Sequence, residues 1–367
     1  MSHDPVQLPT EVESISEKRK RWVKLLHNLE YAQLIDEVLS VELAKYRNSA
    51  VVSSTKSPET YRECALILSS ASPLFEAAVE GVLPLRFLLD SKLQAQHVTL
   101  LERARSQPSI YVHILADKHG TAPSARQYMA VADIASRYVG EANAENNKIA
   151  GLIDSTTPAP ISSNLMSLGQ RKYLVTPSSS RSKARIARIN LFSNSIRRRF
   201  LSTPLPDRDL PLWPPPSEVG YSINSPSRLS QHRRHQSSNY IMNLTEDICT
   251  HLHLTQHELF RTQHFILHSF IIYLIFRPQQ VHIAEIFTSG LLQVWIENGG
   301  GFNYYPAGRS NSSGDRVTAE EWRNHDAWVR ENSDLDGRWE MLRKRVERDV
   351  IAVGRELADI WREVMKD

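Results

Sequence analysis

Histidines offer the first chemistry. His251, His253, His257, His264 and His268 fall close together, with His253 and His257 four apart and His264 and His268 at the same spacing. On a helix each pair would turn two imidazoles to one side, as a transition-metal site requires. The metalloprotease pattern H-E-x-x-H fails, because Arg261 stands where a second His would follow His257-Glu258. A mononuclear catalytic centre would also want a third ligand and an open position. We therefore expect capping or solvated histidines and assign no metal ligand, cofactor or catalytic residue. A metal-dependent enzyme is kept as a third class, recognisable by zinc retained through chelator-free purification.

Charge offers the second. The chain has 44 Lys+Arg against 41 Asp+Glu, a net +3. Ser155 to Thr245 alone holds 13 Lys+Arg and 3 acids, so that stretch is +10 and the remainder −7. Within it Arg181, Lys183, Arg185, Arg188, Arg197, Arg198 and Arg199 form a candidate polyanion-binding set, and Tyr173, Phe192 and Phe200 are candidates to stack on bases. Phosphate contacts carry no sequence information, so the set suits nonspecific attraction, a nuclear-localisation patch or a solvated face.

Other signatures fail. Gly301 to Gly308 precedes Arg309 and Ser310, but the spacing is wrong for a phosphate-binding loop and Pro306 interrupts it. Asp207-Arg208-Asp209-Leu210 resembles a kinase catalytic tetrapeptide, yet it runs into Pro211 and lacks the downstream Asn. Ile248 to Phe260 has the length of a helix-turn-helix. Its turn carries His253 in place of Gly, and its second helix becomes too apolar for a DNA groove, so core packing is the better expectation. Cys64 and Cys249 are too few for a disulfide framework or a Cys-type zinc site, which points to a reducing compartment.

The elements that must position these residues read as helices. Trp22, Leu25, Leu26 and Leu29 share a face, and Leu34, Ile35, Val38 and Leu39 continue an apolar stripe toward Tyr46. Ser57-Pro58-Glu59 is a helix start, and Pro73, Pro84, Pro108 and Pro123 divide the following helices. After Ser124, Tyr128, Val131, Ile134 and Tyr138 line one side. Thr255 and Glu258 fit a capping box with Leu254 and Leu259 as its staple, so a helix is expected from Gln256 through Phe265 to Phe276, preceded by a short one over Glu246 to Leu252. Pro278 would end it, and an apolar stretch follows from Val281 to Trp295. Thr318 to Glu321 is a second box. Beyond it Trp339, Leu342, Val346, Val350, Val353, Leu357, Ile360 and Val364 make a near-heptad stripe, suited to self-docking or to a partner helix, with Gly354 a weak point.

No sustained alternation of apolar and polar residues stands out, so the expected class is all-α. Its architecture would be stacked helical pairs, a HEAT-like solenoid fragment. The expected units are a helical block over 1–154, a basic Pro/Ser-rich connector with one short helix over 155–242, a second helical block over 243–297, a flexible loop over 298–317 and C-terminal helices over 318–367. The 12-residue apolar run is too short to span a membrane, and Met1 to Lys20 carries no apolar leader, so neither a membrane anchor nor secretion is expected.

One family resemblance rests on Leu244 to Phe287. Leu254, Glu258, Leu259 and Gln263 match an L-x-x-x-E-L-h-x-x-x-Q helix in the solenoid of the large checkpoint kinases of the ATR type. Ser109 to Val139 and Leu210 to Tyr221 are similar to fungal members of that family. Ile266 to Phe270 departs from it where a Pro-containing turn belongs, and residues 288–367 match nothing in it. The resemblance implies a non-catalytic, nuclear scaffold in DNA-damage signalling, meeting protein partners through helical surfaces, with the serine/threonine kinase domain outside this chain. The alternative is a stand-alone nucleic-acid-binding helical protein that uses the Arg-rich 181–199 segment.

Overall fold

A computed structural model describes residues 14–46, 57–157, 171–175, 181–236, 239–308, 311–349 and 355–365, apart from the side chains of 311, 312, 346–349 and 355–358. The chain is mostly helical, and among the described residues no helix is long and apolar enough to cross a membrane.

The N-terminal helices form where the sequence marks them. α1 (Ile15–His27) and α2 (Tyr31–Glu42) bury Trp22, Leu25, Leu26, Leu34, Ile35, Val38 and Leu39. Ser57 accepts from Thr60 N and opens α3 (Pro58–Ser69). Three helices follow, α4 (Pro73–Val79), α5 (Leu83–Leu89) and α6 (Ser91–Arg103). Ser124 and Gln127 make a reciprocal capping box for α7 (Ala125–Val139), which buries Tyr128, Val131 and Tyr138, and α8 (Ala144–Asp154) packs on it.

The all-α expectation is corrected by a three-stranded antiparallel sheet. β1 (Ser109–Ala116) is its centre, flanked by β2 (Ser217–Ser222) and β3 (Ile266–Leu274). Every residue of β1 is buried, and its alternation of Ser109, Tyr111 and His113 with Ile110, Val112 and Ile114 is too short to stand out as a sustained strand signal. Its successive side chains still turn to opposite faces. Ile110, Tyr111, Val112 and Ile114 join the core that contains the apolar faces of α1–α6, whereas Leu115 belongs to the second core around α7 and buried His113 stands between Glu218 and Ser269.

The Phe265 to Phe276 run is therefore strand β3, not a core helix. The expected short helix is the end of α11 (Tyr240–Leu254), and Thr255 closes it: its Oγ1 donates back to His251 O at 2.8 Å. Gln256 then takes a left-handed φ of 57°, and Leu254 is 69% exposed, so neither the capping box nor its staple exists. A continuous apolar run rich in Ile and aromatic residues suits a strand buried on both faces as well as a helix, and burial decides here. The helix-turn-helix reading loses its second helix for the same reason.

The basic stretch is more regular than a linker. It holds α9 (Lys183–Ser202, 20 residues), strand β2 and α10 (Ser225–Arg233). The 298–317 segment is docked rather than free over its first part. Phe302 is fully buried, and Gly301 lies so close to Ser217 that a Cβ there would sit 2.0 Å from its carbonyl oxygen. The Val281 to Trp295 stretch gives α12 (Gln280–Leu292).

Thr318 and Glu321 form the expected box for α13 (Ala319–Asn332), followed by α14 (Leu335–Asp349) and α15 (Arg355–Val364). Leu342, Trp361 and Val364 are buried on the chain's own core, Trp361 edge-on to Tyr61 at 6.0 Å. Val350, Val353 and Gly354 lie outside the described residues.

Candidate metal centre

The sheet register builds a site that no sequence motif announced. His113 at the middle of β1 stands opposite Glu218 of β2 on one side and Ser269 of β3 on the other. β2 leads through Asn224, which caps α10, and this helix folds back over the sheet to bring His232 above His113, with ring centres 4.5 Å apart. Tyr111 shares His113's face and reaches His232, its hydroxyl 3.1 Å from Nε2. That reach depends on Gly220, the cross-strand neighbour of Tyr111: a Cβ there would lie 2.4 Å from the Tyr111 hydroxyl oxygen.

His113, Glu218 and His232 are all buried, and one ligand atom from each lies within 4.8 Å of the others. Those atoms divide into two sets. His113 Nδ1 contacts Ser269 Oγ at 2.8 Å, His232 Nε2 contacts the Tyr111 hydroxyl, and Glu218 Oε1 accepts from Asn239 Nδ2 at 3.0 Å. His113 Nε2, His232 Nδ1 and Glu218 Oε2 have no hydrogen-bond partner. Three such orphans cost roughly 1–3 kcal/mol each.

His113 Nε2 lies 3.6 Å from Glu218 Oε2, close to the ~3.4 Å between ligand atoms around a tetrahedral ion with bonds near 2.1 Å. This contact is no ion pair. Burial, then the neighbouring His232 and Arg228, hold His113 well below its ordinary pKa, and burial takes His232 down to about 3. Burial raises Glu218 to about 7 against the opposing pull of Asn239 and Arg228. Both imidazoles are thus neutral, the form that ligates metal, and a cation would take the place of the carboxyl proton. Ligation through His113 Nε2 and His232 Nδ1 leaves Nδ1–H of His113 to donate to Ser269 and Nε2–H of His232 to donate to Tyr111. Ser269, Tyr111 and Asn239 are then the outer partners that fix ring and carboxylate orientation. Asn239 does so from a rigid place, since its Oδ1 also caps α11 through Met242 N.

The five histidines singled out in the sequence lie elsewhere and are engaged locally. His253 and His264 stack at 4.9 Å, His253 Nδ1 meets Phe260 O and His264 Nε2 meets Thr250 Oγ1. His257 Nδ1 accepts from Leu259 N, and His268 Nε2 contacts Asp117 O. Half-buried His251 lies in the last turn of α11.

The basic set is largely turned to the chain itself. Arg199 is buried and donates to Gly299 O and Pro214 O. Arg197 meets Asp133 and Ser136, Arg198 meets Ser195 and Glu297 O, and Arg185 donates to Tyr173 O and Val175 O. Arg188 covers the rings of Tyr304 and Tyr305. Arg181, Lys183 and Arg198 are exposed. Tyr173 and Phe192 are buried, so they are not stacking platforms, and Arg208 covers the Phe200 ring.

Sequence reasoning missed all three ligands because 105 and 14 positions separate them, from His113 to Glu218 and from Glu218 to His232. The available signals were Glu218 itself, a lone acid deep in a basic stretch, and an apolar run, Ser109 to Ala116, interrupted only by Tyr111 and His113. Comparisons with known family models, curated proteins and solved structures find no match.

Proposed function

We propose that the chain binds one first-row transition-metal ion at His113, Glu218 and His232, as a three-ligand centre with a coordination position left for water or a small molecule. The observation that carries this reading is a buried cluster in which one ligand atom each of His113, Glu218 and His232 lies within 4.8 Å of the others, while of their six polar atoms three have no hydrogen-bond partner and three are fixed by Ser269, Tyr111 and Asn239. Two imidazoles and a carboxylate suit zinc or ferrous iron better than calcium or magnesium, which prefer oxygen ligands throughout. An ion held by three protein ligands lowers the pKa of a bound water, which makes metal-assisted hydrolysis the reaction class in closest accord with the donor set.

The test is a titration of chelator-treated protein with cobalt(II). One equivalent should be taken up with visible d–d absorption, His113→Ala and His232→Ala should each weaken uptake at least 100-fold, and Asn239→Ala should weaken it 10- to 100-fold. Uptake by the native chain no tighter than by the doubly substituted one would sink the reading.

A second reading is the protein-binding scaffold implied by the ATR-type resemblance. The packed helix pairs at the two ends, α1 with α2 and α13 with α14, speak for it. Its nuclear, DNA-damage context rests on the resemblance alone, and the nucleic-acid alternative rests on exposed Arg181, Lys183 and Arg198.

A further inference from the structure

Beside the centre lies a cavity of about 340 Å³, large enough for a small organic molecule. Glu218 and Tyr111 form part of its wall, so it adjoins the three-ligand site. Arg228 of α10 supplies a guanidinium, and Tyr221, Tyr304 and Tyr305 supply aromatic surface. Arg188, 4.2 Å from the Tyr305 ring centre and 5.2 Å from that of Tyr304, backs those two rings.

The charges select the ligand. With a divalent ion on Glu218, Arg228 and the ion place two positive charges at the same cavity, and an anion between them is attracted to both. Arg228 Nη1 donates to Gln231 Oε1 at 3.1 Å, and a guanidinium carries five N–H donors. Glu285 also lines the cavity, and its Oε2 accepts from Gly308 N. A second negative charge on the ligand would be repelled there, which disfavours phosphate dianions and dicarboxylates.

Resting on the metal reading for the charge of the centre, we propose that this cavity binds a small aromatic monocarboxylic acid, its carboxylate on Arg228 beside the metal and its ring against Tyr221, Tyr304 and Tyr305. Arg228 is the specificity-determining residue, because a guanidinium pairs with a carboxylate through two parallel hydrogen bonds.

The test is calorimetric titration of cobalt-loaded and metal-free protein with benzoate, and with benzamide, which keeps the ring and lacks the charge. Benzoate should bind saturably at one site, at least tenfold tighter than benzamide, and Arg228→Gln should weaken benzoate at least tenfold while leaving cobalt uptake at one equivalent. No saturable benzoate binding, or benzoate and benzamide binding alike, overturns the proposal, and so does undiminished benzoate binding by folded Arg228→Gln protein. The ligand comparison decides even if that variant does not fold. Native protein that binds benzoate through Arg228 and takes up no cobalt keeps the cavity and overturns the metal reading; cobalt uptake without benzoate binding does the reverse.

Discussion

Glu63 shows at the residue scale how strongly this interior acts on a charge. It lies on α3, 1% exposed, with Arg277 Nε 3.3 Å from Oε1 but not aligned for a hydrogen bond. Burial outweighs the arginine and raises the carboxyl to about 7. A carboxyl whose folded pKa exceeds its unfolded value binds more protons in the folded state between the two, so its contribution to stability falls as pH rises from about 4.5 to about 7 and stays lost above that. The cost at pH 8 is about 3 kcal/mol. Glu63→Gln should therefore stabilise the chain by an amount of that order at pH 8 and change little at pH 4.5. Urea unfolding at the two pH values measures this, and an equal shift at both would refute it. His113 and His232 respond to the same burial, which is why their neutral, ligand-ready state could not be read from residue type. Nothing local in the sequence distinguishes them from the histidines of 251–268, whose spacing looked more like a site and whose ring nitrogens are largely spent on nearby carbonyls and hydroxyls.

At the element scale, capping was the most legible feature. Ser57, Ser124 and Thr318 all start helices through side-chain bonds whose partners lie three residues on, so sequence alone contains them. Thr255-Glu258 has the same letters and forms no cap, because Phe260 and Phe265 are drawn into the core and Ile266 joins β1, contacts that local sequence does not contain. Helix α9 was foreseen as one short helix and its arginines as a surface for polyanions, but helix and sheet burial sorts them. Arg199, pulled down to about 10 by burial, holds two buried carbonyls, Gly299 and Pro214, on which the docking of the 299–303 segment near the centre depends. Arg199→Met should cost about 2–4 kcal/mol, since each carbonyl is left without a partner. Lys183→Gln at the exposed end of the same helix should fall within about 0.5 kcal/mol of the native chain. Chemical denaturation of both variants provides the comparison, and equal effects would show that Arg199 has no such role.

At the scale of the whole molecule, three strands far apart in sequence meet in one sheet, and the metal ligands come from two of them and from the helix that follows the second. The centre can therefore exist only when β1 and β2 are paired and α10 has closed over them, so metal binding and folding share their free energy. The α12 helix ties β2 to α2 and α3, and α15 packs on α3, so the same folded state extends to the C-terminal helices. An ion that binds the folded chain and not the unfolded one stabilises it by about 2.7 kcal/mol at a free concentration 100 times its dissociation constant. Cobalt or zinc at that level should raise the melting temperature by several degrees, move near-ultraviolet and far-ultraviolet signals together, and leave the His113→Ala, His232→Ala chain unmoved. Calcium at equal concentration should have no such effect, because the site offers two nitrogens and one carboxylate. A shift of equal size in the doubly substituted chain would place the stabilising ion elsewhere, and the unpartnered buried atoms of His113, Glu218 and His232 would then have to be explained without a metal.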